Sequence, residues 1–87
     1  MDLESILSSS CRRKIIKVLA ENGPTNIMQL IMKVNGKYPR VNSELQILLK
    51  EEIIIDAHLG RMRIIKLNKE KPKTGVLLQA LKLLQCN

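Results

Sequence analysis

The sequence predicts a mainly helical α+β fold: three helices, a β-hairpin and one last helix, in that order. Three observations predict it. Aliphatic residues recur at helical spacing in three blocks before residue 51, each closed by a breaker. Two short β-branched runs follow on either side of Leu59-Gly60. A leucine-crowded segment comes after Pro72. With 87 residues there is room for one small core and not for two.

Residues 3–7 form a short apolar lead-in. A serine among Ser8, Ser9 and Ser10, placed before Cys11-Arg12-Arg13-Lys14, suits a helix N-cap, where its hydroxyl accepts from a free first-turn amide. Ile15, Ile16, Leu19 and Ala20 make the apolar side of this first helix, and Asn22-Gly23-Pro24 stops it. Thr25 or Asn26 caps a short second helix with Ile27, Leu30, Ile31 and Val34, ended by Asn35-Gly36. Met28 and Met32, one turn apart, read as adaptable core.

The third helix runs from Tyr38 to about Glu51. Pro39 fits its first turn, where a missing amide proton costs nothing, and Val41, Leu45, Leu48 and Leu49 form its stripe. Ile53-Ile54-Ile55 reads as a strand, Leu59-Gly60 as a turn, and residues 63–67 as the returning strand. Residues 1–68 therefore read as one domain. Residues 69–73, polar and charged around a proline, read as a linker. Thr74 then caps a last helix within 74–87.

Composition narrows the function. The chain is 45% hydrophobic, so it can bury a core, yet Phe and Trp are absent and Tyr38 is the only aromatic. Modules that hold single-stranded nucleic acid stack bases on several aromatic rings, and that platform cannot be built here. Lys plus Arg total 15 against 8 for Asp plus Glu, a net charge of +7. Such a balance favours a polyanionic partner: nucleic acid first, an anionic membrane surface second. No apolar stretch approaches the ~20 residues of a membrane span, and the start lacks a signal-peptide layout. The expectation is a cytoplasmic protein with no membrane association.

Cys11, Cys86 and His58 are too few, and wrongly spaced, for a disulfide framework or a zinc site. Cys11 near a helix start reads as a small, half-buried thiol. No Ser-His-Asp set, paired carboxylates or phosphate loop is present. The sequence therefore predicts neither an enzyme nor a cofactor.

The second and third helices are joined by a turn of about four residues containing Gly36, as in a helix-turn-helix, and the hairpin would be its wing. Residues 7–16, with their serine cap, arginines and Ile15-Ile16 pair, belong to a further pattern. Val41, Leu45, Ile47 and Leu48, followed by Ile53-Ile54, complete it. Over residues 7–67 the chain resembles winged-helix transcription regulators of the ArsR and MarR-like type, a group that includes small archaeal proteins. Glu52 stands where that family usually has a glycine. The resemblance implies a winged helix-turn-helix fold, DNA binding and dimerisation through terminal helices. The metal ligands that ArsR-type proteins carry on the corresponding third helix are missing, since this helix has no Cys or His.

Charge placement points the same way without the resemblance. Residues 11–40 carry a net +6, residues 41–58 a net −3 and residues 59–74 a net +5, counting Lys and Arg against Asp and Glu. A winged helix presents the N-terminal half of its recognition helix and its wing to DNA. On the third helix Arg40 is suited to guanine and Asn42 and Gln46 to adenine, with Ser43 adaptable. Lys37 and Tyr38 are placed for phosphate. In the hairpin His58, Arg61 and Arg63 are candidates for phosphate or the minor groove, Arg61 and Arg63 being expected to project to one side. Glu44 stands against this, as a charge that would repel phosphate.

The function expected is sequence-specific binding of double-stranded DNA by a nucleoid-associated transcriptional regulator. Two alternatives remain open from sequence: a winged-helix protein-interaction module, and an architectural chromatin protein with little sequence preference. A homodimer is expected through the last helix, which is apolar almost all round, with Leu77, Leu81 and Leu84 at coiled-coil-like spacing.

Overall fold

The computed structural model describes residues 2–85, with side chains up to residue 83. The elements are α1 (Leu3–Leu7), α2 (Ser10–Asn22), β1 (Thr25–Asn26), α3 (Ile27–Lys33), α4 (Tyr38–Lys50), β2 (Ile54–Leu59), β3 (Met62–Leu67) and α5 (Pro72–Gln85). The strands form one antiparallel sheet in the order β1-β3-β2. This is a winged helix-turn-helix: α3 and α4 are the two helices of the motif, and β2 with β3 is the wing.

Local chemistry sets the helix ends. The Ser9 hydroxyl accepts from the Arg12 amide at 3.3 Å, capping α2, and Gly23 with φ 72° closes it. The Asn26 side chain accepts from the Gln29 amide at 2.9 Å and caps α3. Helices α3 and α4 finish alike. After α3 the Asn35 and Gly36 amides donate to the Met32 and Ile31 carbonyls; after α4 the Glu52 and Ile53 amides donate to those of Leu49 and Leu48. Both are Schellman closures, which need a left-handed residue, and Asn35 (φ 54°) and Glu52 (φ 61°) supply it. Gly36 is required for a different reason. A Cβ there would lie 2.7 Å from a Val41 methyl, so only glycine lets the turn pack against α4.

Strand β1 was not expected. Its two residues pair with β3, Thr25 opposite Ile65 and Asn26 opposite Ile64, and anchor the start of α3 to the wing. In the hairpin Leu59 pairs with Met62 around Gly60 and Arg61. Gly60 takes φ 62° while Arg61 does not share the positive φ, the sign pattern of a type II′ turn.

The core is aliphatic. Ile6, Ile15, Ile16, Leu19, Leu30, Val41, Leu45, Leu48, Ile53, Ile65 and Leu77 are all buried to 1% exposure or less. Each such side chain contributes about 1.5–3 kcal/mol by leaving water.

Four expectations need correcting here. Met28 and Met32 are 63% and 77% exposed, because Leu30 and Val34 fill the inner side of a helix too short to bury both faces. The last helix begins at Pro72, so the connection after β3 is shorter than the expected linker 69–73. Thr74 lies fully buried in the first turn of that helix instead of capping it. Finally, Leu77 (0%) and Leu81 (6%) belong to the chain's own core and are not a free seam for a partner. The outward side chains of α5 include Val76 and Leu83, at 47% and 77% exposure; the Leu84 side chain lies outside those described.

Candidate nucleic-acid interface

Helix α4 buries Val41, Leu45 and Leu48 against the core and turns its other side outward. With 3.6 residues per turn, Pro39, Ser43, Gln46 and Lys50 follow one line along the helix, and all four are exposed. Arg40 lies on one flank of this line and Asn42 on the other. Ser43 donates its hydroxyl to the Pro39 carbonyl at 2.9 Å, leaving its lone pairs outward. Lys37 occupies the N-cap without a side-chain cap bond, and Tyr38 beside it is half exposed.

The Arg40 flank holds Glu44, the charge that stands against DNA binding in the sequence. Glu44 is 8% exposed, and its carboxylate pairs with Arg12 Nη1 at 3.2 Å and Arg40 Nε at 3.3 Å. Arg12, also buried, donates from Nε to the Ile6 carbonyl at 3.1 Å and from Nη2 to the Ser5 carbonyl at 3.0 Å. Arg13 donates to the Leu7 carbonyl. The two arginines therefore clamp the end of α1 onto α2, and Glu44 ties that clamp to α4. Glu44 is an internal counter-charge between two guanidiniums and presents no free carboxylate to a phosphate.

The opposite flank joins the wing. Arg63 Nε donates to Asp56 Oδ2 at 2.6 Å and Arg63 Nη1 to Asn42 Oδ1 at 3.0 Å. Both charged side chains are mostly buried, 17% and 15% exposed. Strand alternation explains the placement: Arg63 shares the inner face of β3 with Ile65 and Leu67, so it points towards α4. The expectation that Arg63 projects outward beside Arg61 is thereby corrected. Arg61 sits in the exposed turn, and Arg63 is a clasp between wing and helix. His58, in register with Arg63, remains exposed.

The acidic end of α4 is neutralised as well. Glu51 accepts from Lys73 at 2.6 Å and Glu52 pairs with Lys71 at 2.8 Å. Hydrogen bonding to these lysines holds both carboxyls below their ordinary range, and the same pairing raises Lys71. Each carboxylate on α4, at its end and on the hairpin is thus matched by a Lys or Arg. Burial, reinforced by the nearby Glu44 charge, pushes the Cys11 thiol up, so it stays protonated at neutral pH.

Sequence reasoning brought out Lys37, Tyr38, Arg40, Asn42, Ser43 and Gln46, which the structure gathers on one helix. It missed the Arg12–Glu44 pair and the Arg63–Asn42 clasp. The signal available for the first was an arginine and a glutamate at otherwise apolar-facing positions of two neighbouring helices. Among the described residues no group of three or more His, Cys, Asp and Glu stands together, and no helix is long and apolar enough to cross a membrane.

Two helices joined by a tight turn and followed by a β-hairpin that packs beside the second define the winged-helix class, and comparison with solved structures agrees. The chain superposes on the AntR antimony-specific transcriptional repressor with a TM-score of 0.81 and 25% identity, covering 97% of this chain and 71% of that one. For the transcriptional repressor BigR from Xylella fastidiosa the values are 0.82 and 21%, over 98% and 84%. An ArsR-family transcriptional regulator gives 0.69 and 20%, over 95% and 81%. No protein-family model and no curated protein matches the sequence.

Proposed function

We propose that this chain is a transcriptional regulator that binds double-stranded DNA, with α4 in the major groove and the wing on the adjacent backbone or minor groove. The observation that carries the reading is the neutralisation of the carboxylates around α4 and the hairpin. Glu44, Glu51, Glu52 and Asp56 all have lysine or arginine partners within the chain. Lys37, Arg40 and Arg61 then stand exposed on a surface with no free opposing charge. The winged-helix repressors with the same fold support this assignment and give no support to an enzymatic one.

In this reading Gln46, Ser43 and the outer edge of Asn42 face base edges, Arg40 reads guanine from its flank, and Lys37, Tyr38, His58 and Arg61 hold the backbone or minor groove. A homodimer would present two such helices to a two-fold site, as helix-turn-helix proteins commonly do. Its contact would use the outer side of α5, around Val76 and Leu83. The site of action would be the nucleoid, in the cytoplasm.

A gel-shift panel of unrelated duplexes, alongside one selected from a random pool by the protein, tests the proposal. Preference for the selected duplex is expected. Equal affinity for all would favour an architectural protein, and no binding at low salt a protein-interaction module.

A further inference from the structure

We propose that the tip of the wing is an apolar wedge that enters the minor groove, unstacks a base step and so bends the duplex. This rests on the DNA-binding reading and adds an activity to it. Leu59 and Met62 are directly opposite each other across the hairpin, on either side of the Gly60–Arg61 turn. They are 70% and 52% exposed and contribute nothing to the core. Alternation sets both on the sheet face away from the Arg63 clasp, and Met28, 63% exposed, borders the groove beside them.

Two aliphatic side chains paired at the far end of a hairpin lie beyond the reach of the core. Isolated exposed apolar residues are ordinary, but here a neighbouring pair is held out on a tight turn with an arginine between them. Leu and Met are among the side chains that minor-groove proteins insert between base steps, and the accompanying arginine suits the negative potential of a narrowed groove.

Charge and continuity select DNA over other occupants. The hairpin's one carboxylate, Asp56, is held by Arg63, while Arg61, His58 and Lys66 are exposed. A second copy of a chain with net charge +7 would be repelled at this basic tip. The Arg63–Asn42 hydrogen bond fixes the wing beside α4, so a duplex seated on α4 would bring its flanking groove to the tip.

The test uses the full chain and a duplex selected from a random pool by the wild-type protein. The duplex carries 2-aminopurine at successive positions and a donor–acceptor dye pair at its ends. Wild type should raise 2-aminopurine fluorescence at one flanking step and shorten the end-to-end distance, consistent with a kink of about 20–90°. Leu59→Ser/Met62→Ser should lose both signals and keep the wild-type melting transition, since neither side chain is buried. Its salt slope should be unchanged because no charge is removed. Leu59→Met/Met62→Leu should keep the bend.

If wild type binds without kinking, or the double serine variant kinks the duplex as wild type does, the wedge is wrong and the DNA-binding reading stands. If wild type binds no duplex at low salt, both fail, and the apolar tip is a contact for protein.

Discussion

Arg63 on the wing donates to the Asn42 amide oxygen on α4 at 3.0 Å, joining residues 21 apart in sequence. The same guanidinium is held by Asp56 at 2.6 Å, so the wing's angle to α4 is set before any ligand arrives. A mostly buried hydrogen bond from a charged group stabilises by roughly 1.5–3 kcal/mol. A double-mutant cycle on Arg63→Ala and Asn42→Ala, read by denaturant unfolding, should return a coupling of about that size. Arg63→Ala should also weaken binding to every duplex by loosening the wing, whereas Arg61→Ala should do so with no loss of stability.

Arg12 and Glu44 make the second internal tie. Removing one partner of a buried ion pair strands the other, at a cost of about 3–5 kcal/mol. Arg12→Met should approach that loss, because Ser5 and Ile6 lose their donors as well. Arg40→Ala, whose side chain is 66% exposed, should cost less than about 1 kcal/mol and blur discrimination at one base position. Urea midpoints of the two variants provide the comparison.

Much of this was legible in the sequence, and the parts that were not have physical causes. The stripe of Val41, Leu45 and Leu48, the stops at Gly23 and Gly36 and the turn at Gly60 are local signals, and they place α2, α4 and the wing. Strand β1 has two residues and no periodicity to read. Met28 and Met32 lie on a seven-residue helix that is apolar on both sides, so spacing could not say which side faced inward. Thr74 reads as a cap because threonine favours that position, but Pro72 equally suits a helix's first turn and starts the helix two residues earlier. Arg63 depends on strand register, and Arg12 with Glu44 on the packing of α2 against α4; neither is a property of neighbouring residues.

Glu52 carries a left-handed backbone on a residue with a Cβ. It holds φ 61°, a conformation that glycine adopts without strain. Glu52→Gly should relieve left-handed strain, partly offset by the loss of the Lys71 pair and by glycine's freedom when unfolded. A rise of roughly 2–5 °C in melting temperature is expected from calorimetry.

Acid should weaken the attachment of α5. Glu51 and Glu52 are held below their ordinary range by Lys73 and Lys71, so their stabilisation is present above the unfolded value of about 4.3. It is lost as pH falls below that value and through the lowered folded values. Lys71 is raised, so its share is complete below about pH 10.4 and lost as pH rises through its folded value. Melting temperatures across pH 2–11 should fall at both ends. Lys71→Ala, which removes an exposed pair, should flatten the profile only slightly.

Cys11 gives a chemical check on the packing of α2. In a Cys86→Ser variant the remaining thiol should react with iodoacetamide more slowly than free cysteine at pH 7.5, because burial raises its pKa. A rate equal to free cysteine would mean that α2 is not packed as described.

The salt dependence of duplex affinity bears most directly on DNA binding. Titrating wild type, Gln46→Ala and Arg61→Ala on a selected duplex should give log affinity falling linearly with log salt, by about 0.9 per phosphate contact. Arg61→Ala should reduce that slope by about one and weaken all duplexes alike, while Gln46→Ala should keep the slope and lose preference for the selected site. An affinity independent of salt, or none at low salt, would contradict the assignment.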